Sequence, residues 1–189
     1  FAFSQEDIED YFRLNEIILD KETSKDIFNK TLGWPYVVHL YMEAYKNKHT
    51  DADKTVLDKA YTFIENNVWL ELSDDERQFL ATMSVFSSFN LNQCMKQTFL
   101  EEKMCLKLLN SIPLINYDEH TRRYSFNPMF DGFILQVLDE MPVDEVTKIT
   151  LRAADTNLDD GNYFEAMKLY SHSKEYRKIY QHNIDFIDI

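Results

Sequence analysis

The chain has 189 residues, with 33 acidic against 20 basic side chains and a net charge of −13. A polyanion is excluded as a direct partner unless basic residues cluster, and here they are scattered. Three glycines, four prolines and 44% hydrophobic residues, with 14 Phe and 11 Tyr, predict a packed, mainly helical protein. The length suits one large or two to three small domains. No apolar run approaches the ~20 residues of a membrane span. The first residue is Phe1, and no signal-peptide pattern follows it. The expectation is a cytoplasmic piece of a longer chain.

In chain order, Ser4 with Asp7 forms a capping pattern that opens a helix carrying Ile8, Tyr11 and Phe12 on one face. A second helix runs from about Glu22, with Ile27 and Leu32 marking its buried side and Gly33 stopping it. A third begins at Pro35, where a missing N–H costs nothing, and carries Val37, Val38, Tyr41, Met42 and Tyr45. Residues 46–51 read as a solvated loop. A fourth helix follows from about Asp53, with Val56, Leu57, Ala60, Phe63, Ile64 and Val68 at helical spacing.

Ser73-Asp74-Asp75-Glu76 is the clearest capping box in the chain and marks a new unit. Phe79, Leu80, Met83 and Phe86 form its apolar stripe. Asn90 to Gln93 opens a short helix reaching about Phe99, and another covers roughly Glu101 to Leu109. The period then changes to two: Leu114–Tyr117 and Arg123–Phe126 read as strands of a β-hairpin. Asn127-Pro128 starts a helix with Phe130, Phe133, Ile134, Val137 and Leu138 on its apolar face. Three helices, a hairpin and a closing helix describe a winged-helix unit. After Pro142, a helix starting around Ile149 and ending near Gly161 is followed by one with Tyr163, Ala166, Met167 and Tyr170, half of a helical-repeat array. Such a pair cannot bury its faces alone, so further repeats are expected downstream.

Gly33-Trp34-Pro35 admits two readings. One is a tight helix–helix corner plugged by Trp34. The other is a Gly-x-Pro turn whose backbone and ring pack on an adenine.

The ordered set of features resembles the MalT-like, LuxR-type transcriptional regulators, whose middle is a signal-transduction ATPase of the STAND class. The residues that carry the resemblance are Phe3-Ser4 with Asp7-Ile8 and Tyr11-Phe12, and Thr31 with Gly33-Trp34-Pro35. They continue with Val68-Trp69, Leu72-Ser73, Phe79-Leu80 and Met83-Ser84-Val85-Phe86, and end with Tyr124 to Phe130 leading to Phe133-Ile134. The resemblance implies a helical lid domain over 1–70, a winged-helix domain over 71–141, and a helical arm leading to TPR-like repeats over 142–189. It also implies an upstream P-loop core that binds ATP or ADP, with Gly33, Pro35 and Asn127 facing the nucleotide. Asn127 stands where similar proteins carry a phosphate-sensing His. The implied partners are that core and the downstream repeat and DNA-binding domains of the same chain, with inducer-driven homo-oligomerisation. No P-loop motif lies in this chain, so neither ATPase activity nor nucleotide binding is expected of it alone.

Other readings compete. A winged helix that binds DNA directly would offer the helix from Glu101 to Leu109, but Glu101 and Glu102 oppose Lys103 and Lys107 there. The pair Arg122-Arg123 reads as solvated. A helical-repeat adaptor explains residues 143–189 only. An enzyme lacks its signals: the chain has no HExxH, no nucleophile elbow and no Cys/His pair. His39 reads as a core-edge or surface residue, and His172 and His182 have no ligand spacing. Asp74-Asp75 and Asp159-Asp160 sit at helix boundaries, where capping explains them. Cys94 and Cys105 read as reduced core thiols rather than zinc ligands.

Overall fold

Helix starts follow the capping chemistry in this computed structural model, which describes residues 2–49, 51–175 and 177–179. Thr50 of the expected loop, and residues 180–189 of the expected arm with His182, lie outside the described residues. The fold is mainly helical, with one small antiparallel two-stranded sheet. The order is α1 (Gln5–Leu14), α2 (Lys21–Thr31), α3 (Pro35–Lys46), α4 (Ala52–Asn67), a 3₁₀ turn (Trp69–Glu71), α5 (Asp74–Met83), α6 (Leu91–Thr98) and α7 (Glu102–Ser111). Then come β1 (Ile115–Asp118), β2 (Arg123–Phe126), α8 (Pro128–Glu140), α9 (Val143–Asp159) and α10 (Tyr163–His172). The chain divides into two compact units. One joins the residues up to Leu72 with Phe126–Phe133; the other joins Ser73–Ser125 with the chain from Ile134 onward.

In the first unit, Ser4 Oγ accepts the Asp7 N–H at 3.1 Å, and the Asp7 carboxylate accepts the Ser4 N–H at 2.8 Å. Two orphan donors of α1 are thereby satisfied. Ile8 and Phe12, one turn apart, are fully buried, a contribution of roughly 2 kcal/mol each by apolar area. Along α3, Val37, Val38, Tyr41 and Met42 are buried as the spacing predicts, while Tyr45 stays on the rim. On α4 the buried line is Val56, Ala60 and Ile64.

Two expectations need correction here. Leu32 is not on the buried side of α2: it is the C-cap, left-handed at φ 46, and 37% exposed. Thr31 takes the inner place, because its Oγ1 can donate to the Ile27 carbonyl at 2.8 Å and so tolerates burial. Trp34 is only half-buried and is no plug. Its ring packs on Tyr36 and Phe63, each 5.9 Å away between centroids, and so forms part of a partly open aromatic ledge.

The second unit opens at the Ser73 box, with Ser73 and Glu76 exchanging hydrogen bonds. Phe79, Leu80 and Met83 are buried beneath α5. Cys94 on α6 and Cys105 on α7 are buried free thiols, and burial together with the neighbouring Cys105 pushes the Cys94 thiol well up, keeping it protonated. Phe89 pairs with Tyr124 through two backbone bonds, 2.9 and 2.7 Å, adding a third extended piece beside the hairpin.

Of the pair read as solvated, Arg122 is exposed, but Arg123 is half-buried and engaged. It donates to the Ser88 hydroxyl at 2.8 Å, to the Ser88 carbonyl at 2.6 Å and to Gln93 Oε1 at 3.1 Å. Helix α9 begins at Val143, well before Ile149, because Pro142 serves as its N-cap and Asp144 and Glu145 favour its first turn. Helix α9 is tied to α6 by polar side chains. Gln97 Nε2 donates to the carbonyls of Thr82 and Ile149 at 3.3 and 3.0 Å, Arg152 donates to the Gln97 carbonyl at 2.9 Å, and Lys96 pairs with Asp160 at 2.7 Å. Small Ala154 and Ala166 let α9 and α10 pack closely around the buried Tyr170 ring. Among the described residues no helix is long and apolar enough to cross a membrane.

Candidate functional site

The corner at Thr31–Pro35 is built from main-chain hydrogen bonds together with the Thr31 hydroxyl. The Phe3 N–H donates to the Gly33 carbonyl at 2.8 Å, and the Gly33 N–H donates to Thr31 Oγ1 at 3.0 Å. Gly33 has φ +71, and a Cβ there would stand 1.9 Å from the Phe3 carbonyl oxygen. Only glycine satisfies both the left-handed backbone and the close approach of the N-terminal segment. Pro35 then sets the first turn of α3, its ring half-buried.

Asn127 reaches the same corner from far along the chain. Its Nδ2 donates to the Thr31 carbonyl at 3.1 Å, and that carbonyl also accepts the Trp34 N–H at 3.0 Å. Its Oδ1 accepts the Met129 N–H at 3.1 Å, an N-cap for α8. The side chain is 5% exposed. Thr31 thus brings together Gly33 and Asn127, two of the three residues that the sequence nominates, while Pro35 makes no hydrogen bond to it; this role for Thr31 is not apparent from sequence.

Two further groups in the first unit carry polar chemistry; the first, Asp131 with Tyr61, is one that sequence reasoning missed, and the second, His39, lies at the edge of the core, as expected from sequence. Asp131, in the first turn of α8, has its carboxyl pushed above the usual range by burial. The neighbouring Gly132 leaves room for the Tyr61 hydroxyl, which would lie 2.3 Å from a Cβ at that position. Tyr61 is raised in turn by burial and by the Asp131 charge. The available signal was an acidic residue interrupting the apolar run Met129-Phe130 … Phe133-Ile134. His39 is half-buried in a network: its Nδ1 is 2.8 Å from the Tyr11 hydroxyl, and its Nε2 is 3.7 Å from Glu43.

The fit to a nucleotide is partial. The main-chain groups of Gly33 and both ends of the Asn127 amide already have protein partners, so what the corner offers is the apolar edge of Pro35. That suits the face of a purine. It does not suit a phosphate, and the Asp131 carboxyl one turn along α8 adds repulsion when ionised. Among the described residues no group of three or more His, Cys, Asp or Glu could hold a metal ion. No protein-family model and no curated protein matches the chain.

Proposed function

We propose that the chain is the regulatory segment of an ATP/ADP-switched transcriptional regulator of the MalT-like kind. In this reading the first unit is the helical lid over an upstream P-loop core. Helices α5–α7, the hairpin and α8 form a winged helix, and α9–α10 begin a TPR-like array that relays inducer binding to oligomerisation. The observation that carries the reading is the meeting of Gly33 and Asn127 on Thr31, since a nucleotide-closing lid needs both elements at one place. Pro35 contacts the adenine, and Asn127 acts by holding the corner. The chain contributes no catalytic group and makes no direct DNA contact. The engagement of Arg123 with Ser88 and Gln93 supports the latter, because it leaves the wing with less cationic surface.

The test uses the intact protein with Pro35→Ala. Losing part of a small apolar contact, about 1 kcal/mol, lowers ADP retention after gel filtration and raises inducer-free transcription several-fold. Unchanged retention and unchanged basal transcription would reduce the corner to a helix junction. A helical-repeat adaptor is the second reading, favoured by Phe164 on α10, which is 76% exposed.

A further inference from the structure

A groove of about 620 Å³ lies within the second unit, along α5, the α6–α7 connection, α7 and α9. This is within the ~300–1,000 Å³ typical of small-molecule sites. Its apolar wall is Phe79, Leu100, Met104 and Leu108. Phe79 and Leu108 are buried and fixed by the core, while Met104 is 44% exposed at the rim, where a flexible thioether adapts to a ligand.

The charges along the groove do not cancel evenly. Glu76 is engaged by the Ser73 cap and by the Ser111 hydroxyl at 3.2 Å, and Lys107 lies close enough to stabilise its charge. Asp75 sits exposed in the first turn of α5, where the helix N-terminus favours it. Arg152 is different. It is half-buried, its guanidinium lies 4.5 Å over the Phe99 ring, and one N–H donates to the Gln97 carbonyl. These two contacts fix the plane of the fork. No carboxylate among the described residues pairs with it, and its other N–H groups have no acceptor among them. A half-buried cation without a carboxylate partner, lining the same groove as an apolar wall, favours a ligand with one anionic head and an apolar body.

We propose that this groove binds an apolar carboxylate, an alkyl or arylalkyl acid, with the carboxylate on Arg152 and the body along Phe79, Leu100, Met104 and Leu108. The planar fork suits a carboxylate, which can accept two parallel hydrogen bonds. The groove shares no residue with the Gly33 corner, so carboxylate binding and nucleotide binding succeed or fail separately.

The experiment titrates the chain with octanoate, octanol and octylammonium, following methyl resonances by NMR. Octanoate gives saturable shifts at Met104, Leu100 and Leu108. Octanol binds about tenfold more weakly, for want of charge-assisted hydrogen bonds, and octylammonium does not saturate. Arg152→Gln lowers octanoate affinity by about the same factor. Because Arg152 also ties α9 to α6, Met104→Trp provides a second arm: its ring fills the groove from the rim, keeps Arg152 in place and abolishes binding. Equal binding of octanoate and octylammonium, shifts that map elsewhere, no saturation, or full affinity in Met104→Trp would each overturn the proposal.

Discussion

The two units are held together differently. In the first, the tightest point of the corner is a main-chain contact, Phe3 N–H on the Gly33 carbonyl, with Thr31 Oγ1 and the Asn127 amide adding bonds around it, and the key position, Gly33, has no side chain at all. In the second, long polar side chains reach main-chain carbonyls: Gln97 to Thr82 and Ile149, Arg152 to Gln97, Arg123 to Ser88. A main-chain junction tolerates no added atom, because the approaching backbone cannot swing aside. A side-chain clasp can be lost at the cost of the bonds it makes, and its neighbours can relax. Small substitutions should therefore hurt most in the first unit, and large polar-to-apolar ones should be borne better in the second.

The largest expected effect comes from Gly33→Ala. Its Cβ would meet the Phe3 carbonyl at 1.9 Å, and φ +71 is unfavourable for an L-residue. Either the N-terminal segment leaves or the corner distorts, at about 3 kcal/mol or more. Thermal melting should fall sharply, with hydrogen exchange of the Phe3 amide becoming fast. Near-wild-type melting would mean that the Phe3–Gly33 pairing does not persist in solution.

Gln97→Leu ranks next. It removes two hydrogen bonds to carbonyls, and the Thr82 carbonyl near the end of α5 loses a buried partner. The Gln97 Oε1 is itself buried without a partner among the described residues, so its removal offsets part of the cost. The net loss should be about 1–2 kcal/mol, read by urea denaturation. A loss as large as that of Gly33→Ala would erase the contrast between the units.

What was legible in sequence follows the same division. Capping boxes at Ser4, Ser73 and Asn90 involve partners three residues apart, so a single stretch of sequence reveals both. The hairpin announced itself by alternation in Tyr124 and Phe126. Gly33, Pro35 and Asn127 could be nominated, but Thr31 as the common partner of Gly33 and Asn127 could not. The Asn127–Thr31 bond joins distant parts of the chain, and a Thr inside a helix carries no mark of it. Arg123 looked solvated for the same reason, since Ser88 and Gln93 are remote in sequence. Leu32 was misplaced because a periodic reading carries the helix through a residue that has already turned left-handed.

Ser73→Ala tests a local device in the second unit. Losing the hydroxyl cap costs about 1 kcal/mol at neutral pH. The Glu76 carboxyl is held below its usual range, first by the Ser73 N–H and then by its hydroxyl. Stability from that bond is present above the unfolded carboxyl pKa, near ~4.3, and is lost as pH falls through the lower folded value. The gap between the melting curves of wild type and variant should therefore narrow on acidification without closing, because the Glu76 N–H bond to the Ser73 hydroxyl does not titrate and alanine keeps the main-chain N–H. A gap that widens below pH ~4 would mean that the cap does not act through the ionised carboxylate.

The smallest expected effect belongs to Asp131→Asn, and it is a gain. Asp131 is a partly buried acid in the first unit, and its carboxyl accepts no hydrogen bond among the described residues. Burial raises its folded pKa above the unfolded value, so its favourable contribution exists only at low pH and disappears as pH rises through the folded pKa. At neutral pH the protein carries the desolvated charge at a cost. Asparagine removes that cost with almost no change of shape. It also gives up the attraction between a carboxylate and the first turn of α8, worth about 0.3–1 kcal/mol, which keeps the net gain small. Lys96–Asp160 in the second unit supplies the contrast, because a paired carboxylate replaced by Asn should destabilise. Melting of Asp131→Asn should exceed wild type slightly at pH 7 and match it once pH falls below the unfolded carboxyl value, near ~3.9. A lower melting temperature at pH 7 would mean that the Asp131 charge has a partner in solution, and that this carboxylate helps Asn127 to hold the start of α8.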